Sequence, residues 1–475
     1  MSEPVPPPPQ VGRREFLQLF FAVMLPMFLA AVDQTLLATA SAPIATELGG
    51  LRDVAWIAIA YLMAATVMIP VYGRLGDRYG RRNVLLVALA VYLSGALGCG
   101  LAASLGQLVA GRVLQGLGGG GLMVMSQALI GELVPPRERA RFQGYFAVVF
   151  TISSVSGPVL GGLIVSHLHW RWLFWGNLPL ALFAMWRLSL LPRGRHSPDA
   201  PGIRDLPGVS MFAAACVISL LWVSQVGYRF GWLSVTSLAL VGIAALLWSA
   251  LVVRERAHPQ AFLPVELLRE RTTAHLAATV VCFAASMFAM VLFLPVYLQL
   301  GLGLSAADAG LLLLPLTLGI VIGSTASGRI IARTGRPRRM PVVGLSVASV
   351  AILGIALVPP SRPVLGLLGL ACGAGFGTVM PTAQIVVQTL AGRERLGIAS
   401  ATISLARSTG GALGSALFGA LVFALLDGTD FRSPASLTQS EREAVIAAFR
   451  HAFPGAAVVA ALGAWLASRA DDVKI

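Results

Sequence analysis

Lysine is almost missing from this chain: of its 35 basic residues only Lys474 is a lysine, and the rest are arginine. A Walker A phosphate loop needs a lysine after its glycines, so none of the glycine-rich stretches here can be one, which excludes direct ATP drive by this chain. Charge of either sign is scarce, 12% of 475 residues against about 25% in a typical soluble domain. Cysteine is down to four residues, Cys99, Cys216, Cys282 and Cys372, far apart and each inside an apolar run. They read as small core residues rather than disulfides or metal ligands, and no metal site or cofactor is expected.

What is abundant is hydrocarbon. The chain is 56% hydrophobic with mean hydropathy +0.79. Apolar runs near the length needed to cross ~30 Å of hydrocarbon recur from end to end. The runs are continuous rather than alternating with period two, so a β-barrel is excluded and the fold class is all-α polytopic membrane protein. A formal charge of +14 would suit nucleic acid, but the basic residues sit in short clusters between apolar runs, where they encode membrane orientation. The lipid bilayer, and no nucleic acid, is the expected partner.

Fourteen spans are predicted, the first at 16–43, the sixth at 173–190, the thirteenth at 397–426 and the last at 454–468. Residues 1–12, with four consecutive prolines, predict a disordered cytoplasmic tail. Most arginines fall in loops on the side of the N-terminus. The exceptions are Arg52, Arg171, Arg229, Arg362, Arg432, Arg442 and Arg450 on the other side, and Arg112 and Arg407 within spans. An even span count and the positive-inside rule then place both termini in the cytoplasm. The stretch 427–453 is the one long outer loop, and Thr438–Glu441 in it reads as a capping box that opens a short surface helix.

The second half repeats the first. Gly73-Arg74, Arg78 and Gly80-Arg81 return as Gly328-Arg329, Arg333 and Gly335-Arg336, and Gly144, Gly157 and Gly161 return as Gly397, Gly410 and Gly414. Nearly equal offsets imply two pseudo-symmetric six-helix bundles, 13–190 and 273–475. Between them lies a linker, 191–272, with two inserted transmembrane helices at 208–226 and 234–252. Parallel six-helix repeats are the build of secondary transporters whose substrate site lies between the halves near mid-membrane.

Five motifs, in order, carry a more specific likeness: Val32-Asp33-Gln34-Thr35-Leu36-Leu37; the hinge Gly73-Arg74-Leu75-Gly76-Asp77-Arg78-Tyr79-Gly80-Arg81-Arg82; Gly111-Arg112-Val113-Leu114-Gln115-Gly116; Ser156-Gly157-Pro158-Val159-Leu160-Gly161-Gly162; and Trp170-Arg171-Trp172-Leu173-Phe174 followed by Asn177-Leu178-Pro179. Together they resemble the major facilitator superfamily, and within it the fourteen-span drug:proton antiporter branch. Three positions depart from that pattern. The proline closing the first motif comes one residue late, as Pro43; Ser153 stands for a glycine; and Ala332 stands where the second hinge would repeat Asp77.

Asp33 is the one carboxylate placed deep in a span. Ionised and unpaired there it would be expensive. It reads either as a structural acid that holds helices together or, in this motif context, as a proton-coupling acid working with Arg112. The resemblance implies a cytoplasmic gate of Gly73, Asp77, Arg78, Gly80, Arg81 and Arg333, with Asp77 facing the helix start near Gly397. It also implies an antiporter motif at Gly157, Pro158, Gly161 and Gly162, whose proline and glycines shape backbone rather than chemistry. Trp56, Tyr61, Gln127, Phe150, Phe288, Tyr297 and Gln384 are candidates to line the substrate cavity, where aromatic faces and amides suit bulky, flat or cationic molecules. Histidines 167 and 169 in an outer loop read as solvated residues. The expectation is a non-enzymatic, proton-driven exporter of hydrophobic or amphipathic drugs in the bacterial inner membrane. It is expected to work as a monomer on protons and a small organic substrate, a role compatible with a periplasmic adaptor. The runner-up is an exporter of one dedicated metabolite, lipid or antibiotic. A membrane enzyme or non-transporting receptor lacks its signature: there is no triad, metal cluster or sensor domain.

Overall fold

The computed structural model describes residues 13–37, 40–49, 55–192, 205–226, 229–257, 265–359, 361–426 and 438–473. The predicted tail 1–12, most of the connection 193–204 and the loop residues 427–437 lie outside them. The described residues are all-helical apart from one isolated bridge between Val226 and Phe230. Fourteen helices are labelled here: α1 (Arg13–Leu36), α2 (Ala55–Tyr79), α3 (Arg81–Gly100), α4 (Leu105–Leu133), α5 (Pro136–His167), α6 (Asn177–Ser189), α7 (Leu206–Gln225), α8 (Val235–Ala257), α9 (Arg271–Val296), α10 (Ala306–Thr334), α11 (Arg339–Leu357), α12 (Arg362–Ala391), α13 (Leu396–Leu425) and α14 (Gln439–Arg469).

Twelve candidate spans are long and apolar enough to cross a membrane among the described residues. Two of the fourteen predicted spans are not among the twelve. The sixth is split at Gly176 into a single turn, Trp172–Trp175, and α6, whose 13 residues are short for a full crossing. The thirteenth is α13, long at 30 residues but rich in glycine, serine and threonine. The first span also differs: α1 stops at Leu36 and the chain turns before a short helix, Ser41–Leu48. The predicted capping box is present, with Thr438 Oγ1 accepting from Glu441 N–H and Glu441 Oε2 accepting from Thr438 N–H. The helix it opens is not a short surface piece. It runs unbroken for 31 residues through Pro454, because the apolar periodicity continues past the loop boundary.

Local sequence explains the boundaries. Ser104, Asp205, Glu270 and Ser305 cap α4, α7, α9 and α10 through side-chain acceptors. Pro136 opens α5 at a position where a missing N–H costs nothing. Between α2 and α3 the chain reverses at Gly80, whose φ of +88° suits glycine.

Packing repeats between the halves. In the first half α5 packs on α1, α4 on α2 and α3, and α6 on α3; in the second α13 packs on α9, α12 on α10 and α11, and α14 on α11. Each half has its own apolar core, one around Leu29, Tyr92 and Leu122, the other around Met290, Phe376 and Phe449. The halves then cross reciprocally, α2 against α13 and α5 against α10. The inserted pair α7 and α8 packs on itself, with Arg254 paired to Asp205 at 2.6 Å, and α7 leans on α2 through Phe212 and Cys216 near Val71. Leu246, Val253, Leu367 and Leu417 stand exposed, as side chains that face lipid do.

Candidate functional site

Asp33 sits one turn from the end of α1 and is 2% exposed. Arg112, seven residues into α4 and 1% exposed, donates from Nη1 to Asp33 Oδ2 at 2.6 Å. The same Nη1 donates to Gln115 Oε1 at 2.7 Å, and Gln115 Nε2 donates to Asp33 Oδ1 at 3.1 Å. Asn177 Nδ2 from α6 reaches Asp33 Oδ1 at 3.4 Å. Arg112 Nε donates to the Ile57 carbonyl, and its guanidinium lies 4.3 Å from the Tyr61 ring centre. Four helices therefore converge on one buried ion pair. A buried ion pair survives in low dielectric only when its remaining valences are satisfied, which is what Gln115, Ile57 and Asn177 do.

Small residues make this convergence possible. A Cβ at Gly116 would fall 2.5 Å from the Tyr61 carbonyl, and one at Gly95 would meet the Gln115 backbone at 2.2 Å. The motif on α5 bears on the same place. A Cβ at Gly157 would overlap Thr35 Oγ1, two residues from Asp33, and Thr35 Oγ1 donates to the Ser153 carbonyl. Gly162 has open space where a Cβ would go, Gly161 is buried, and Pro158 lies within α5.

The hinge carries the second polar cluster. Asp77, 5% exposed, accepts from the backbone N–H groups of Gly397 at 2.8 Å and Ile398 at 3.0 Å, at the start of α13. Arg81 donates to Asp77 at 2.7 Å, to Glu132 at 2.9 Å and to the Arg393 carbonyl at 2.9 Å. Gly73 and Gly397 let the two helices touch, since a Cβ at Gly397 would lie 2.3 Å from the Gly73 carbonyl. Arg139 is nearby in charge if not in contact. Burial, with Arg393 and Arg81 adding repulsion, pushes its guanidinium down to about 10, so it remains a cation at neutral pH.

Around this latch the halves are stitched by neutral groups. Gln388 Nε2 donates across to the Gln127 carbonyl and Ser324 Oγ across to the Gln143 carbonyl, while within the second half Ser400 Oγ accepts from Gln388 Nε2 and Gln384 Nε2. These bonds, like those of Asp77, lie on the hinge side of the molecule, so this conformation is closed there.

Several predicted residues stand elsewhere. Arg78 is half-buried with its guanidinium over Tyr79, and Arg333 is exposed, so neither touches the latch. Of the cavity candidates, Tyr61 belongs to the Arg112 cluster, and Tyr297 is 1% exposed within an aromatic group of Phe449 and Phe453. Gln127 and Gln384 are buried and Gln127 is bound through its backbone, while Trp56, Phe150 and Phe288 remain half-buried. The misplaced ones share a cause: an aromatic ring or amide in a span packs as well as it lines a cavity, and periodicity alone does not separate these roles. Gln115 and Asn177 stood in the sequence motifs without a role of their own, and Glu132 and the Gln388–Ser400 pair were missed. Gln115, one helical turn from Arg112, carried the one available signal.

Comparison with known proteins gives this geometry a family. The model of the Major Facilitator Superfamily matches residues 23–415. An uncharacterized MFS-type transporter of Mycobacterium tuberculosis is 34% identical over 86% of this chain, which spans 60% of that relative's length. The multidrug transporter protein MdtP of Bacillus subtilis is 31% identical over 85% of this chain and 75% of its own. Among solved structures, that of the human organic anion transporter MFSD10 superposes with a TM-score of 0.62 at 16% identity, covering 94% of this chain and 99% of that one. Such a likeness speaks for the fold alone. The chain belongs to the Major Facilitator Superfamily and is a multi-pass membrane protein.

Proposed function

We propose that this protein is a proton-coupled antiporter of the fourteen-span drug-exporting branch, moving hydrophobic or amphipathic organic compounds out of the cell by alternating access. The observation that carries the reading is Asp33, a sealed carboxylate whose ionised form is held by Arg112, Gln115 and Asn177. A proton that neutralises it removes the reason for Arg112 to stay. Substrate bound from the cytoplasm or inner leaflet favours the deprotonated form, and two states with different proton affinity are sufficient to couple the fluxes.

The packing supplies a route from that site to the gate. Asp33 is two residues from Thr35, which rests on Ser153 and Gly157 of α5. Thirteen residues along α5, about 20 Å away, Gly144 meets Thr325 where the halves cross. A shift of α1 thus reaches the crossing through one rigid helix. On this reading the hinge side, dense in arginine, is cytoplasmic, both termini lie there, and α6 and α13 complete fourteen spans. The membrane is the bacterial inner membrane, the working unit is a monomer, and the proton gradient is the only drive.

Proteoliposomes with an imposed pH gradient test this. Wild type is expected to move a lipophilic dye only with the gradient present, and Asp33→Asn to lose that dependence. Full gradient-driven activity in Asp33→Asn rejects the mechanism. Expression in a hypersensitive host challenged with unrelated toxicants separates breadth from dedication. Resistance to one compound class alone points to an exporter of a single metabolite, lipid or antibiotic.

A further inference from the structure

One charge near mid-membrane plays no part in either cluster. Arg407 lies ten residues past Gly397 on α13, about 15 Å from the latch, and well over two turns from either helix end. Its side chain cannot reach a headgroup region from there. Among the described residues it has no ion-pair partner, whereas Asp33, Asp77, Glu132 and Asp205 are each committed to another arginine. The contact it does make is with the opposite half: Nη2 lies 3.5 Å from Met123 Sδ on α4. A thioether is a weak acceptor and leaves a guanidinium largely unsatisfied.

The place is neither sealed nor bare. Arg407, Met123 and Phe288 are all half-buried. Phe288 projects from α9 onto the same face of α13, one turn from Arg407, since a Cβ at Gly411 would fall 2.8 Å from its ring. Met123 is eleven residues from Arg112 along α4, about 16 Å, so Arg407 stands between the proton site and the latch. Its fixed positive charge borders an aromatic ring and a polarizable sulfur at the interface of the two halves.

We infer that Arg407 makes the space between the halves a binding site for aromatic organic anions, with the guanidinium taking the anionic group and Phe288 and Met123 taking the ring. This rests on the export reading above and narrows it: the aromatic and amide candidates suited bulky, flat or cationic molecules, and the Arg407 charge selects against the cationic ones. An anion satisfies the guanidinium's fork of donors and offsets the cost of holding it in the membrane. A cation would place like charges together in low dielectric.

The test uses the purified full chain in detergent and two dyes on one xanthene frame: fluorescein, assayed where it is anionic, and the cation tetramethylrhodamine methyl ester. Fluorescence anisotropy is expected to show saturable fluorescein binding that weakens about tenfold or more in Arg407→Gln, as loss of a charge-assisted bond implies. Arg407→Lys should retain most of it. Met123→Glu, which leaves Arg407 in place but sets a carboxylate beside it, should abolish it. Tighter binding of the cation than the anion, binding of neither dye, or fluorescein binding unchanged in both Arg407→Gln and Met123→Glu overturns the proposal. Should Arg407→Gln fail to fold, Met123→Glu and the wild-type dye preference decide. Asp33→Asn, which mimics the protonated acid, is expected to lose gradient-driven transport and, by the same linkage, to bind fluorescein more weakly but still saturably and with the same preference for the anion. Failure of proton coupling therefore reads out separately from failure of the anion site.

Discussion

Where α2 crosses α13, Gly73 and Gly397 bring two backbones together and Asp77 caps the second helix with a carboxylate. Where α5 crosses α10, Gly144 meets Thr325, Ser324 binds the Gln143 carbonyl, and Ala332 occupies the place that symmetry would give to Asp77. The same contrast recurs deeper in the membrane. Asp33 and Arg112 of the first half correspond to Met287, part of an apolar core, and to Leu367, exposed on the surface. Small residues are thus shared by both repeats, whereas the carboxylates at these positions are confined to one. The symmetric feature makes the helices pack and slide. The asymmetric one decides which half responds to a proton and which crossing can be latched.

The most disruptive way to break this asymmetry is to remove half of the buried pair. Arg112→Leu leaves the Asp33 carboxylate uncompensated and should cost about 3–5 kcal/mol of stability. The double change Asp33→Met with Arg112→Leu, which copies the second half, should recover more than half of that loss yet show no gradient-driven transport. Thermal unfolding of the single and double variants in detergent measures it. A double variant no more stable than Arg112→Leu would mean that the two positions are not coupled.

The crossings themselves come next. Gly397→Ala would press a Cβ to 2.3 Å from the Gly73 carbonyl, whereas Gly144→Ala would meet Thr325 Oγ1 at 3.1 Å. Backbone cannot yield as a hydroxyl can, so overpacking at Gly397 should cost about 1–3 kcal/mol of the latched state. Spin-label distances between α2 and α13 should then show latch opening in Gly397→Ala and little change in Gly144→Ala. Equal responses would show that the two crossings do not differ in tightness. Asp77→Ala is milder, because it removes one anion from a helix N-terminus, worth about 0.5–2 kcal/mol. It should shift the same distances in the same direction, with Asp77→Asn between it and wild type.

The repeat was legible because it is written in glycine and arginine at a fixed offset, and backbone contact tolerates no other side chain at Gly397 or Gly73. Arg112 was legible because an arginine inside a span is costly and rare. What escaped was satisfaction. Gln115 and Asn177 are ordinary amides until Asp33 is seen to need them, and naming Arg81 as a gate residue does not reveal that Glu132 and the Arg393 carbonyl close around it. Arg78 and Arg333 erred the other way: they recur between the halves, yet one stacks on Tyr79 and the other faces outward. Recurrence preserves orientation signals as faithfully as gates.

The smallest expected effect sharpens the comparison from the far face. There Glu47 of the short helix accepts from Trp170 Nε1 at 2.7 Å and Arg171 at 2.8 Å, with His169 at 2.9 Å, and Arg171 also reaches the Ala102 carbonyl. This clamp joins the short helix Ser41–Leu48 to the segments that follow α3 and α5, as the Asp77 latch joins α2 and α13, but its carboxylate is exposed rather than buried. The Trp170 N–H, followed by Arg171 and His169, outweighs slight burial and holds the Glu47 carboxyl below its ordinary value of 4.5. A carboxyl depressed in the folded state contributes stability that is complete above its unfolded value and fades as pH falls through the folded one. The stability deficit of Glu47→Gln should therefore be small and constant from about pH 8 to about pH 5, and vanish only under more acidic conditions. A deficit that instead changes between those two values would contradict the assignment of the clamp's strength to the Glu47 carboxylate.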